Sequence, residues 1–112
     1  MCGLTFEEAL EGAHILPWSK SSHAQRLDPR NGLLLCTTHH CLFDAGLITV
    51  NQSLKIVYYD PKMKDAAYSI IDKALSVAVN GKKIRLPKDK RLWPSSELLK
   101  ARHKLDEWGD QP

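Results

Sequence analysis

His40 and Asp44 have the clearest metal-binding spacing in this sequence. A separation of four positions places an imidazole and a carboxylate on the same face of a helix, one turn apart. Both groups bind divalent cations, and an ion held by two protein ligands keeps its other coordination positions open for water and phosphate. The mixed donor set suits Mg²⁺, Mn²⁺, Ni²⁺ or Zn²⁺ and does not choose between them. The alternative is an ordinary surface pair between the two side chains.

Four of the five histidines lie within the first forty residues: His14, His23, His39 and His40. An imidazole titrates near neutral pH, so a positioned histidine can take a proton from water in a hydrolytic reaction. His14 lies in a short apolar run and is the candidate general base. The alternative is a buried histidine that is hydrogen-bonded to a backbone carbonyl.

The elements that position these side chains follow from hydrophobic periodicity and turn chemistry. The first half is predicted to contain a short helix over residues 6–10 capped by Thr5, a strand over 13–16, a loop over 18–31 and an extended segment over 33–36. A helix capped by Thr37 or Thr38 and ending near residue 45 follows. The second half is predicted to contain a hairpin of strands 47–50 and 54–59, and helices over 65–79 and from 94 onward. Gly46 is expected to end the helix that carries His40. This order predicts an α+β fold.

Length and composition set the outer bounds. The chain has 112 residues, 43% of them hydrophobic and 26% charged, which is typical of one soluble globular domain. The net charge of +3 permits nucleic-acid binding without establishing it. The three cysteines show no disulfide framework, and there is no signal peptide or bilayer-spanning run. These features predict a reduced, cytoplasmic location and no membrane partner.

Three segments combine into one pattern: A-H-I-L-P-W-S over residues 13–19, N-G-L-L-L-C over residues 31–36 and H-H-C-L-F-D-A-G-L-I over residues 39–48. The pattern resembles the HNH nuclease signature, and within it the restriction-type branch. The resemblance covers residues 13–50. It implies a ββα-metal (His-Me finger) core, one divalent cation and hydrolysis of DNA phosphodiester bonds. We expect a single nuclease domain over residues 1–112, with a core of about 1–59 and a helical extension of about 62–112.

The resemblance also implies roles for individual residues. His14 matches the general base of the family, and Asn31 matches the residue that orients the histidine loop through hydrogen bonds. His40 matches the last histidine of the signature, a metal ligand, and Asp44 falls where related enzymes often carry another ligand. The catalytic set is therefore predicted to be His14, Asn31 and His40.

Two departures from the family pattern bear on metal binding. Ala13 stands where many HNH proteins carry an Asp or His ligand, so His39 is a candidate replacement beside His40. Adjacent helical residues point about 100° apart, which favours His40 as the main ligand. The chain also lacks the C-x-x-C pairs that hold structural zinc in some relatives. Cys2, Cys36 and His39 could supply three ligands, but ordinary buried thiols are the favoured interpretation.

The predicted partner is DNA. Lys20, Arg26 and Arg30 lie in the basic loop that follows the candidate base and are predicted to contact backbone phosphates. A solvated basic loop is the alternative. Restriction-type relatives usually carry a separate recognition domain, so a further domain or subunit is an expected partner. The competing functions are a non-catalytic, metal-stabilised DNA-binding module and an interaction domain whose histidines only pack.

Overall fold

The computed structural model describes residues 1–60 and 68–109. Its first unit is an antiparallel pair of strands, β1 (Leu10–His14) and β2 (Gly32–Cys36), in which Leu10 lies opposite Cys36 and His14 opposite Gly32. The helix α2 (Thr37–Asp44) follows β2 without a linker. The sequence therefore builds a β-β-α unit with the candidate base at the end of one strand and His40 on the helix.

The N-terminal prediction was wrong in detail. Residues 6–10 do not form a helix capped by Thr5: a single 3₁₀ turn spans Glu7–Ala9, and its N-cap is Phe6. Strand β1 begins at Leu10, three residues earlier than predicted. The helix-favouring composition of this stretch is overridden because β1 pairs along its whole length with β2.

The segment between β1 and β2 is also more ordered than the predicted loop. It contains 3₁₀ turns over Trp18–Lys20 and Pro29–Asn31, with the short helix α1 (His23–Leu27) between them. Ser22 caps α1 in a reciprocal capping box with Gln25, since each side chain bonds the backbone of the other. The segment is thus folded against the strands that it joins.

Helix α2 has close to its predicted bounds, but its cap differs. The N-cap is Cys36, whose Sγ accepts a hydrogen bond from the backbone N–H of His39 at 3.4 Å, so the prediction of Thr37 or Thr38 was wrong. The helix begins at Thr37, which puts both threonines inside its first turn. Gly46 follows the helix at φ 75°, a conformation that favours glycine.

The predicted hairpin is confirmed. Strands β3 (Ile48–Val50) and β4 (Ile56–Tyr58) pair antiparallel, and all three residues of β3 are buried. The apolar core combines residues from several elements: Ile15, Leu35, Phe43, Ile48, Ile56 and Leu99. The described helices of the second half are α3 (Ile70–Leu75) and α4 (Ser96–Leu105). The first residues of the predicted helix over 65–79 lie outside the described residues.

These elements make up a mixed α+β fold, as predicted. Within residues 1–60 and 68–109, the structure contains no helix with the length and apolar character needed to cross a bilayer.

Candidate active site

His14 closes strand β1 and is half-buried. Its Nε2 lies 3.2 Å from the backbone oxygen of Arg26. A carbonyl oxygen only accepts hydrogen bonds, so Nε2 carries the proton and Nδ1 of the neutral ring keeps its lone pair. The ring also packs edge-on against Trp18, with 5.8 Å between ring centroids. Nδ1 makes no hydrogen bond to a residue in the described part of the chain, so the oriented imidazole keeps this nitrogen to accept a proton.

Asn31 fixes the segment that carries the Arg26 carbonyl. Its side chain is buried, and Oδ1 accepts a hydrogen bond from the Leu16 N–H at 2.8 Å. Nδ2 donates to the Gln25 carbonyl at 3.1 Å and to Ser21 Oγ at 3.3 Å. One amide thus binds the chain just after His14 and the chain just before Arg26. This network fixes the position of the His14 imidazole relative to the Arg26 carbonyl.

His40 lies between two carboxylates. Its Nδ1 is 2.9 Å from Glu11 Oε1, and its Nε2 is 3.2 Å from Asp44 Oδ2. Asp44 comes from the same helix, one turn on, as the sequence spacing predicted. Glu11 comes from β1, which lies beside α2. The imidazole is 27% exposed, so the group is open to solvent on one side.

The donor set of His40 and Asp44 fits a divalent cation. Two ligands bonded to one ion at about 2.0–2.2 Å lie roughly 3.0–3.4 Å apart. The Nε2–Oδ2 distance of 3.2 Å falls in that range. Metal-binding histidines generally donate their second N–H to a carboxylate or carbonyl, and Glu11 has that position on Nδ1.

Glu11 is a site residue that the sequence analysis missed. Residues 11 and 13 of an extended strand share a face, so Glu11 stands on the same side as Ala13. This periodicity was the available signal, but it required β1 to begin before residue 11. A carboxylate two residues upstream therefore lies near the position where relatives carry a ligand.

His39 lies among a different set of side chains. It is fully buried; its Nε2 is 2.7 Å from the Leu75 carbonyl oxygen and its Nδ1 is 3.4 Å from Cys36 Sγ. Burial lowers the pKa of His39, which favours the neutral imidazole at neutral pH. The structure thus brings His40 together with Asp44 and Glu11, and His39 together with Cys36.

Arg102 is the second residue that the sequence analysis missed. It is 3% exposed, and its guanidinium donates to the carbonyls of Ile15 and Phe43, each at 3.0 Å. Its Nη2 also lies 3.8 Å from Asp44 Oδ1. Between His14 and either His40 or Asp44, all of them described residues, the structure has no hydrogen bond or ion pair. Arg102 instead links the residue after His14 with the end of α2.

Of the predicted phosphate-contacting residues, Arg26 lies beside His14, because its backbone oxygen accepts the hydrogen bond of the His14 ring. Arg26 stacks on Trp18, with 4.3 Å from its guanidinium carbon to the ring centroid, and its Nε donates to the Trp18 carbonyl at 3.0 Å. Arg30 Nε donates to the Trp93 carbonyl at 3.4 Å, and Lys20 is exposed. Arg26 is therefore held against an aromatic ring and Arg30 against a backbone carbonyl, which limits the conformational freedom of both side chains.

Comparison with known proteins gives one finding. A family model described as HNH endonuclease matches residues 1–51. The matched segment contains β1, β2 and α2, and with them His14, Asn31, His40 and Asp44. Leu75, Trp93 and Arg102 lie outside it. No significant match to a curated protein or to a solved structure was found.

Proposed function

We propose that this chain, of which residues 1–51 match a family model described as HNH endonuclease, is a metal-dependent endonuclease that hydrolyses phosphodiester bonds in DNA. The observation that carries the proposal is the pairing of an oriented imidazole, His14, with a separate imidazole and carboxylate pair, His40 and Asp44, whose spacing suits a cation. The restriction-type motif of residues 13–19 is the basis for proposing a role in restriction or defence. We propose a single domain, because Leu99 of α4 packs in the same core as Phe43 of α2.

In the proposed reaction, Nδ1 of His14 takes a proton from water as its oxygen bonds to phosphorus. The bond from phosphorus to the 3′-oxygen breaks, and that oxygen leaves with the electron pair and is protonated by solvent. The Nε2–H of His14 stays on the Arg26 carbonyl, whose partial negative charge stabilises the imidazolium that forms. Asn31 keeps that carbonyl in position throughout.

A divalent cation, when bound by His40 and Asp44, supplies neutralisation of the phosphate charge and stabilisation of the leaving oxygen. The charge on Glu11 favours the orientation of His40 in which Nε2 is the ligand atom. Arg102 faces the other oxygen of the Asp44 carboxylate and leaves Oδ2 toward His40.

Lys20, Arg26 and Arg30 contact the backbone phosphates of the bound DNA in this proposal. Such contacts are ionic, so DNA affinity falls as salt concentration rises. They position the duplex without reading its sequence, which leaves sequence choice to a further domain or subunit.

The direct test is incubation of purified protein with supercoiled plasmid, with Mg²⁺ or Mn²⁺ and with a chelator. We expect conversion to the nicked or linear form with a divalent ion and no conversion in the chelator. If Mg²⁺, Mn²⁺, Ni²⁺ and Zn²⁺ all fail to support cleavage, the catalytic proposal is wrong.

One observation favours a second candidate function. Ala13 is buried and offers no ligand where many relatives carry one, so the cation group has fewer protein donors. A domain that keeps the fold without the chemistry would bind DNA as a metal-stabilised module. A gel shift with plasmid fragments, unaccompanied by cleavage in any of the four ions, would support this alternative.

Substitution Glu11→Gln tests the role of the carboxylate on His40. The variant keeps an oxygen acceptor but loses the charge, so we expect Mn²⁺ affinity to fall by about 10-fold or more. Isothermal titration of Mn²⁺ into the protein measures the change without reference to cleavage. Glu8→Gln is the matched control, because Glu8 is exposed in the same N-terminal segment. Equal Mn²⁺ affinities for the two variants would exclude this role for Glu11.

A further inference from the structure

A second group of potential metal ligands includes His39, the residue that precedes His40. Cys2, Cys36 and His39 each offer one ligand atom, and these atoms lie within 4.8 Å of one another. They come from three places in the sequence: the N-terminal segment, the end of β2 and the first turn of α2. We propose that these three side chains bind a structural zinc ion, distinct from the cation of the active site.

The distances match those of a zinc centre. Zinc bonds to sulfur at about 2.3 Å and to imidazole nitrogen at about 2.0–2.1 Å, so in a tetrahedral site two sulfurs lie about 3.8 Å apart and sulfur and nitrogen about 3.5 Å apart. In the structure, Sγ of Cys2 is 3.7 Å from Sγ of Cys36, and Sγ of Cys36 is 3.4 Å from Nδ1 of His39. Two of the three pairs of ligand atoms therefore have the spacing that the ion requires, and the third pair, Cys2 and His39, lies within 4.8 Å.

The orientation of His39 also suits a ligand. Its Nε2 lies 2.7 Å from the Leu75 carbonyl oxygen, an acceptor, so Nε2 carries the proton and Nδ1 presents its lone pair to the cysteine side. A backbone carbonyl on the second ring nitrogen is the usual outer partner of a metal-binding histidine. His39 is fully buried, so α3 and α2 together hold the ring in this orientation.

Cys36 lies at the junction of strand β2 and helix α2. It is the N-cap of the eight-residue helix α2, and its Sγ accepts the His39 backbone N–H. Burial raises the pKa of the Cys36 thiol, so zinc binding includes displacement of its proton by the ion. Two sulfurs with one imidazole select zinc over magnesium, since Mg²⁺ prefers oxygen ligands.

Zinc bound in this way has a structural consequence for the chain. It ties residue 2 to the junction of β2 and α2, and thus fixes the helix start from which His40 projects. The fourth coordination position is left to solvent or to another ligand. Because the unfolded chain does not preform the site, zinc binding adds to folding stability.

The test uses the full chain, purified under reducing conditions and without chelator. Elemental analysis is expected to find about one zinc ion per chain. Replacement by Co²⁺ is expected to give a sulfur-to-cobalt charge-transfer band in the near ultraviolet, which carboxylate and imidazole ligands alone do not produce. Removing the ion with a chelator is expected to lower Tm by several degrees. None of these readouts depends on nuclease activity.

Variants assign the ligands. Cys2→Ser is expected to lose both the stoichiometric zinc and the cobalt band. Cys41→Ser, the matched control, is expected to keep both because Cys41 is exposed on the same helix. His40→Ala is also expected to keep both, which separates this site from the active-site cation.

Three outcomes would overturn the proposal. The first is wild-type protein with neither stoichiometric zinc nor a cobalt band. The second is a Cys2→Ser variant that retains its zinc. The third is a disulfide between Cys2 and Cys36 in protein purified under reducing conditions. It would be shown by a mass that is lower by two hydrogen atoms and by resistance of the two cysteines to alkylation. The cobalt titration needs no variant, so a substitution that prevents folding does not affect it.

Discussion

Substitution His14→Ala is expected to lower the rate of DNA cleavage by about 10²–10⁴-fold and to leave the protein folded. The loss follows because the attacking water has no other oriented proton acceptor in the proposed reaction. Folding is preserved because His14 is half-buried at a strand end and makes one described hydrogen bond, to the Arg26 carbonyl. Its neighbours in the core, Ala13 and Ile15, are unchanged.

The measurement is single-turnover nicking of supercoiled plasmid in saturating Mn²⁺. His23→Ala serves as the control, since His23 is an exposed histidine in the same connecting segment and is expected to cleave at the wild-type rate. Mn²⁺ affinity of His14→Ala should equal that of the wild type, because His14 is not a proposed ligand. Cleavage by His14→Ala at the rate of the His23→Ala control would remove His14 from the role of base.

Local patterns predicted the parts of the fold that local interactions specify. The spacing of His40 and Asp44 required only a helix there, and the helix ends at Asp44, just before a glycine that adopts φ 75°. The hairpin of β3 and β4 was readable from two apolar runs separated by turn residues. The grouping of His14, Asn31 and His40 as one catalytic set came from the family pattern and stays a prediction.

The errors arose where tertiary contacts override local preference. Residues 6–10 carry a capping-box pattern, yet Leu10 is in β1 because it pairs with Cys36. That shift places Glu11 in β1, whereas the predicted strand began only at residue 13. Arg102 was missed because its backbone acceptors come from residues 15 and 43, far from it in the sequence. Such distant partners leave no local trace in the sequence.

The two adjacent histidines of α2 also have tertiary partners that the local sequence did not predict. Sequence reasoning weighed His39 against His40 for one cation, from the angle between neighbouring helical residues. In the structure, the two rings belong to separate environments: His39 is buried against Cys36 and the Leu75 carbonyl, whereas His40 contacts two carboxylates at the surface. The angle indicated that they would diverge, but the partners of each depended on the packing of β1 and α3.

Substitution Arg102→Met is expected to destabilise the protein by about 3 kcal/mol or more. Nε of Arg102 lies 2.6 Å from Asp106 Oδ2, and the guanidinium donates to the Ile15 and Phe43 carbonyls from a site that is 3% exposed. Methionine retains much of the aliphatic stem that packs near the Phe43 ring, but it donates no hydrogen bond. The Ile15 carbonyl and the Asp106 carboxylate then lose their described partner in partly or fully buried positions. Leaving such groups without a hydrogen bond lowers the free energy of unfolding.

Urea unfolding followed by circular dichroism measures the change in the free energy of unfolding. In thermal unfolding of the same variant, Tm should fall by roughly 12 °C or more. Arg91→Met is the matched control: Arg91 pairs with Asp89 at the surface, so its loss should leave the unfolding midpoint nearly unchanged. Equal midpoints for the two variants would show that the buried guanidinium does not stabilise the fold. A drop confined to Arg102→Met would instead mean that α4 fixes two segments of the chain, the one after His14 through Ile15 and the one before Asp44 through Phe43. Nicking by Arg102→Met should therefore fall even at temperatures where the variant remains folded.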